Sequence, residues 1–292
     1  MLPPVRFAVV AHRASETNCA LVEAGWPGAS SCLLSPSEAV ALLEPGDVAL
    51  VRLDVRPTLD GIEPGLKLVN RLATKGVRVL NGPSTILASH DKLLTARALK
   101  LAQLPHPLTA YAIAGEPLDS ELDPPVVLKP RFGSWGAGLH LCRDRDELEA
   151  ALVELQREPW FARQGALVQE LVPPFGYDLR LVVAAGEVVG AIRRVAAPGE
   201  WRTNVALGAV RRRVVPDAHA KHLAVAAADA VGGDLVGVDL LPAGGMDYVV
   251  LEVNAAVDFT PAYSLGGDVC GVALEALAEG VGAEEAALAP TV

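Results

Sequence analysis

Val127-Leu-Lys-Pro-Arg-Phe-Gly-Ser-Trp-Gly-Ala-Gly138 joins a short apolar strand, a lysine and a loop with three glycines in six residues. Lys129 closes the run Val126–Leu128, which reads as a buried strand. A lysine in such a place calls for an anionic partner. The loop Gly133–Gly138 can turn its backbone N–H groups toward an anion, because glycine accepts positive φ. A cation on a rigid strand followed by a donor-rich loop suits nucleotide phosphates. On motif grounds alone a plain hairpin turn explains the glycines equally well, so the weight falls on the rest of the chain.

With 292 residues, 51% of them hydrophobic, the chain has room for two or three domains with sizeable cores. No apolar run reaches the ~20 residues of a membrane span, and Met1-Leu-Pro-Pro-Val-Arg-Phe7 does not read as a secretion signal. Cys19, Cys32, Cys142 and Cys270 stand far apart with no Cys-x-x-Cys pair. That spacing argues against zinc and for reduced thiols in a cytoplasm. A net charge of −10 speaks against general nucleic-acid binding.

Upstream of the lysine, Arg6–Ala11, Cys32–Leu34, Val48–Leu53 and Val77–Leu80 read as strands. Helical patterns at Thr17–Ala24, Ser37–Leu43 and Leu66–Lys75 alternate with them, as in an open, mostly parallel sheet. No Gly-x-Gly-x-x-Gly follows the first strand, which excludes a dinucleotide-binding reading. Asp54, Arg56 and Asp60 read as a solvated loop rather than a substrate-facing one. Asn81-Gly-Pro-Ser84 marks a domain boundary, and Ser89 is expected to cap a helix running to Leu104. Lys92 lies in its first turn, where a cation opposes the helix dipole unless an anion is held there.

Downstream, Asp144 and Glu147 have capping-box spacing ahead of a stripe formed by Leu148, Ala151, Leu152 and Leu155. Val168–Val172 reads as a strand, and Asp178–Val183 and Val188–Arg193 as a hairpin around Ala185-Gly186. Arg180, Arg193 and Arg194 put cations on that sheet. Pro216-Asp217 starts an alanine-rich helix, and Arg211–Arg213 reads as a solvated edge.

The second anchor is acidic. Leu235–Leu241 and Asp247–Val253 read as paired strands, with Glu252 and Asn254 on one face. A loop at Ala243–Met246 sets Asp239 opposite Val250, with Glu252 as its diagonal neighbour. Oxygen ligands without His or Cys suit Mg²⁺. The alternative is a solvent-facing polar stripe, but two adjacent acids between apolar neighbours repel unless something neutralises them.

Lys92, Lys129, Gly133–Gly138, Gln169-Glu170, Asp178-x-Arg180, Arg194, Arg202-Thr-Asn204, Asp239 and Glu252-x-Asn254 follow one another over roughly 200 residues. That order resembles the ATP-grasp superfamily, in particular the branch of ribosomal-protein S6 glutamate ligase and the carrier-protein amino-acid ligases of lysine and arginine biosynthesis. The resemblance covers about Ser89 to Gly280. It implies an α/β (α+β) ATP-grasp fold: an N-terminal open parallel-sheet domain at 1–84 and two clamping subdomains at 85–165 and 166–292. It implies that Lys92 and Lys129 contact the α- and β-phosphates and that the loop with Gly133, Ser134, Trp135 and Gly136 closes over the triphosphate. Gln169, Glu170, Leu171 and Val172 would line the adenine hinge, with Asp178 toward the ribose and Arg180 nearby. Arg194, Arg202 and Asn204 would serve the γ-phosphate and acyl-phosphate. Asp239, Glu252 and Asn254 would hold two Mg²⁺ ions, with Mn²⁺ as the other metal. Gly208-Ala209 stands where a Gly-Gly often follows the Arg-Thr-Asn loop.

The expected activity is an ATP-dependent carboxylate–amine ligase in the cytoplasm. It would join an amino acid such as glutamate to a small-molecule, peptide or carrier-protein carboxylate through an acyl-phosphate. A homo-oligomeric state is left open. The other reading is a nucleotide-holding module without ligase activity, against which the full set of metal acids and lysines argues.

Overall fold

The computed structural model describes residues 5–245 and 247–288; Met246, at the end of the expected Ala243–Met246 loop, and the first four residues of the stretch read for a secretion signal lie outside them. The first sheet is parallel throughout. β1 (Arg6–Val10), β2 (Ser30–Leu34), β3 (Val48–Val51) and β4 (Arg78–Leu80) alternate with α1 (Glu16–Ala24), α2 (Pro36–Leu42) and α3 (Leu66–Lys75), in the strand order β2-β1-β3-β4. Phe7 and Val9 pack into one apolar cluster and Ala8 and Val10 into another. Side chains alternate faces along a strand, and a parallel sheet must be covered on both.

α4 (Pro83–His90) and α5 (Lys92–Leu101) follow. Here the expected helix start is corrected: Ser89 lies inside α4, its hydroxyl donating to Thr85 O at 2.7 Å. Asp91 caps α5, accepting from Leu93 N–H at 3.1 Å. A carboxylate suits the positive end of a helix better than a hydroxyl does. The next sheet holds β5 (Thr109–Ala112), β6 (Val126–Pro130), β7 (His140–Cys142) and, after α6 (Arg145–Leu155) and α7 (Pro159–Gln164), β8 (Ala166–Glu170). It is antiparallel, in the order β5-β8-β6-β7. β8 is thus part of the central sheet, and a boundary after residue 165 would cut that sheet. The capping box at α6 is half formed: Asp144 accepts from Glu147 N–H, whereas Glu147 accepts from Arg143 N–H, one residue further back.

The third sheet contains β9 (Tyr177–Ala184), β10 (Glu187–Val195), β11 (Val210–Arg213), β12 (Leu235–Gly244) and β13 (Asp247–Asn254), with α8 (Ala218–Ala230) between β11 and β12. Its order is β11-β10-β9-β12-β13, and the exposed arginines of β11 form one edge. Along β9, Leu179, Leu181 and Val183 belong to the cluster that includes α8. On the opposite face Val182 and Ala184 pack with α9 (Val269–Leu288), while Asp178 and Arg180 stand where that cover ends.

Asn81, between β4 and α4, also joins the first sheet to the third. At φ 52° it is fully buried, and its amide oxygen accepts from Asp234 and Leu235 N–H at 2.9 and 3.2 Å. Its amide nitrogen donates to Leu235 O at 2.7 Å. Asparagine tolerates left-handed backbone, so the turn signal is real, and the same side chain fastens the first sheet to the third. Arg52 donates to Val257 O at 2.6 Å and Thr17 to Phe259 O at 3.0 Å, so the first sheet also grips the segment that follows β13. No helix among the described residues is long and apolar enough to cross a membrane.

Candidate active site

The central and third sheets face each other across one cleft. All the sequence-predicted site residues line it: Lys92, Lys129, Gly133–Gly136, Gln169–Val172, Asp178, Arg180, Arg194, Arg202, Asn204, Asp239, Glu252 and Asn254.

Lys129 sits mid-cleft on β6, 5% exposed. Its ammonium donates to Gln169 Oε1 at 2.7 Å, and Gln169 in turn donates to Thr109 Oγ1 at 2.9 Å. Among the described residues it is the only buried lysine, and no carboxylate lies within ion-pair distance of it. Burial pushes its pKa down to about 7, the neighbouring Lys92 pushes the same way, and Glu252, beyond ion-pair distance, offsets them only in part. A cation in that position is left to be neutralised by an anion from outside the chain.

Lys92, at the first position of α5, donates to Gly133 O at 2.6 Å and to Glu252 Oε1 at 3.0 Å. Those two partners explain a cation at the unfavourable end of a helix. The loop is tied to α5 again where Lys92 N–H donates to Arg131 O at 3.1 Å and Arg131 pairs with Asp91. Trp135, Gly136 and Gly138 have φ of 61°, 76° and 67°. A Cβ on Gly136 would stand 2.9 Å from the Asn204 side-chain oxygen. The glycine loop and the Arg202–Asn204 loop therefore touch across the cleft, and any larger side chain at 136 would part them.

On the third sheet Asp239 pairs directly with Glu252, whereas Val250 faces Leu240. The expected diagonal arrangement is corrected by a bulge: the register shifts by one residue after Asp239. The two acids are neutralised by different cations, Glu252 by Lys92 and Asp239 by two arginines. Arg180 grips Asp239 with bonds of 2.7 and 2.8 Å, and Arg194 reaches Asp239 at 2.7 Å and Asp178 at 2.8 Å. Burial works to raise the Asp239 pKa, but Arg180 and Arg194 outweigh it and hold the carboxyl below the usual range.

Asp178 is corrected more fully. It is entirely buried, bonded to Arg194 and to Thr203 Oγ1, so it orients Arg194 and is turned away from a ribose. Arg202 is held by Glu200 through bonds of 2.9 and 2.8 Å, and those bonds pull the Glu200 pKa down to about 2. In the segment Gln169–Val172, Glu170 N–H donates to Leu108 O at 2.9 Å and Leu171 N–H to Pro125 O at 3.3 Å. The oxygen donor set of Asp239, Glu252 and Asn254 fits a hard divalent ion. Asn254 Oδ1 also accepts from Ala256 N–H at 2.8 Å.

Sequence reasoning missed Thr203, and it misread Asp54 and Asp60 in the loop after β3. Asp54 lines the cleft, and Asp60, 7% exposed, pairs with Arg163 of α7 at 2.7 Å. Arg56, Pro57 and Thr58 are exposed as expected, whereas Asp54 and Asp60 at the two sides of the loop turn inward. Polar residues in a turn carry no signal of what a distant helix will bring to them.

Residues 89–275 match the RimK-like ATP-grasp domain. The chain is 31% identical over 191 residues to a glutamate–LysW ligase, ArgX, of Sulfurisphaera tokodaii, covering 64% of this chain and 68% of the relative. It is 30% identical over 220 residues to a probable alpha-L-glutamate ligase of Mannheimia succiniciproducens, covering 74% and 70%. A solved RimK-domain ATP-grasp protein of Sphaerobacter thermophilus superposes with a TM-score of 0.67 at 26% identity, covering 95% of this chain and 99% of that one. A D-alanine–D-alanine ligase of Bacillus anthracis complexed with ATP shares the fold, with a TM-score of 0.70 at 15% identity over 98% and 99% of the two chains. The chain belongs to the RimK-like ATP-grasp family and is an ATP-dependent ligase that forms carbon–nitrogen bonds.

Proposed function

We propose that this ligase joins the amine of an amino acid, glutamate by analogy with its named relatives, to a carboxylate acceptor through an acyl-phosphate. The observation that carries the reading is Lys129, a buried cation without a carboxylate partner at the centre of the cleft. In this reading Lys129 and Lys92 neutralise the α- and β-phosphates under the Gly133–Gly136 loop, and the Gln169–Val172 segment borders the adenine. An acceptor carboxylate oxygen bonds to the γ-phosphorus while the bond to the ADP oxygen breaks. The amine then adds to the acyl carbon, phosphate leaves, and the amine gives up its proton.

Asp239, Glu252 and Asn254 would hold magnesium, which when bound supplies charge neutralisation at the transferring phosphoryl. Arg180, Arg194 and Asp178 make that wall rigid before substrate arrives, so little reorganisation is left for the reaction itself. Arg202 and Asn204, on the loop touching Gly136, would meet the oxygens whose charge develops during transfer. Arginine's planar fork matches such oxygens. The acceptor is small, peptide or carrier-protein in nature. ADP release measured with a pool of carboxylates, with and without glutamate, and mass spectrometry for an aminoacyl adduct, tests the proposal. ADP formed only with both substrates present, together with an adduct, is the expected result; ADP formed without any adduct contradicts it.

A further inference from the structure

The loop between β3 and α3 closes on itself. Val55 and Ile62 bridge antiparallel, and inside that bridge Arg56 N–H donates to Gly61 O at 2.8 Å and Leu59 N–H to Arg56 O at 3.0 Å. At its base is Asp54, a wall of the cleft. At its tip is Leu59, with φ 58°. A leucine gains nothing from left-handed backbone, which its Cβ opposes, so its surroundings hold it there. Thr58 Oγ1 donates to Asp60 Oδ1 at 2.6 Å, and Gln164 Nε2 donates to Asp60 O at 3.1 Å. Arg163 donates to Asp60 Oδ2 at 2.7 Å. Two of these three ties come from α7, which belongs to the central unit.

The side chain shows what this backbone achieves. Leu59 packs against the apolar cluster of the central sheet, not against a cluster of its own sheet. Its two methyls lie under the glycine loop: a Cβ built on Gly133 would stand 3.7 Å from one, and a Cβ on Gly138 would stand 3.4 Å from the other. The loop therefore rests on a residue supplied by the N-terminal unit, some seventy residues upstream in the chain.

We propose that Leu59 is a positioning residue of the glycine-rich loop, holding residues 133–138 at the height at which their N–H groups meet nucleotide phosphates. The inference rests on the nucleotide reading of the cleft. Without the prop, the loop drops toward the space the leucine leaves. ATP then loses phosphate contacts, whereas a nucleotide with no β- or γ-phosphate loses little.

The test compares ATP and AMP affinity by calorimetry in the full chain carrying Leu59→Ala, Leu59→Asn or Leu59→Met. Asparagine keeps the left-handed backbone and removes the apolar contact; methionine keeps apolar volume. Leu59→Ala and Leu59→Asn should each weaken ATP at least about tenfold, or ~1.4 kcal/mol, with AMP affinity unchanged. Leu59→Met should restore most of the loss. The change in tryptophan fluorescence on adding ATP, to which Trp135 on the loop contributes, should shrink in the first two variants and return in the third. Wild-type ATP affinity in Leu59→Ala would overturn the proposal, as would an equal loss of ATP and AMP. Failure of the parent protein to bind ATP would instead overturn the nucleotide reading beneath it.

Discussion

Lys92 and Glu252 are 160 residues apart in the chain and 3.0 Å apart in space. The bond joins α5 to β13, the strand of Glu252 and Asn254, and the same ammonium reaches the glycine loop at Gly133 O. A carboxylate already balanced by a lysine can pass to a divalent ion when the lysine turns to phosphate. On the proposed reading, the pair would exchange partners when magnesium and ATP arrive together.

Glu252→Gln should accordingly keep measurable ATP binding and lower turnover by several orders of magnitude, since catalysis at a transferring phosphoryl is mostly electrostatic. Turnover measured against magnesium concentration checks this. Near-normal rates at low magnesium would mean that Asp239 and Glu252 form only a polar stripe.

Asp239→Asn should act on folding as well as on chemistry. It removes the carboxylate between Arg180 and Arg194, and breaking a buried pair costs about 3–5 kcal/mol. Urea unfolding of the variant should show that loss. In the parent, this carboxyl is held below its ordinary value, so its contribution is present at neutral pH. It disappears as pH falls below about 4 and through the folded-state pKa. The acid limb of the stability curve should be shallower in the variant.

Arg202→Lys should bind ATP nearly as well as the parent and be far slower in forming ADP. Hydroxylamine, a small amine that traps acyl-phosphates, should not restore the rate, because the step that is lost precedes amine entry. Full rescue by hydroxylamine would assign Arg202 to the amine-binding step.

The lysine strand, the glycine loop and the acidic hairpin were legible because each is a local pattern: an apolar run ending in a cation, clustered glycines, alternation of side chains. The parallel sheet was legible for the same reason. What escaped depends on partners distant in sequence. β7 is three residues long and exists by pairing with β6. α9 carries Gly271, Gly280 and Gly282, poor helix formers, and is held by packing against the sheets. Asp178 was expected to face a ribose, and it bonds instead to Arg194 across the strand pair and to Thr203 on a later loop, partners that sequence order does not reveal. The bulge after Asp239 changes a diagonal pair into a direct one, and nothing in the local composition announces it. Leu59 had no signal at all.

Lys129 makes a prediction about protons. Below its folded-state pKa of about 7 the buried lysine is charged and destabilises the free protein in full. As pH rises from 7 toward about 10.4 the unfolded chain still holds that proton and the folded chain does not, so the penalty fades. Polyphosphate should raise the pKa again. At pH 8, ATP binding should therefore take up close to one proton, roughly 0.9 from the titration of a single such group. Calorimetry in buffers of different ionisation enthalpy measures it, and zero uptake would place the phosphates away from Lys129.

Lys129→Met puts the whole account to its most direct measurement: ATP titrated into the parent and into the variant, with the folded state of each followed by circular dichroism. Methionine suits a buried strand, so the variant should fold and be at least as stable as the parent at pH 7. Its binding heat with ATP should vanish while the parent's remains. An ATP affinity equal to the parent's, in a variant that folds, would contradict the claim that this cleft holds nucleotide phosphates through Lys129.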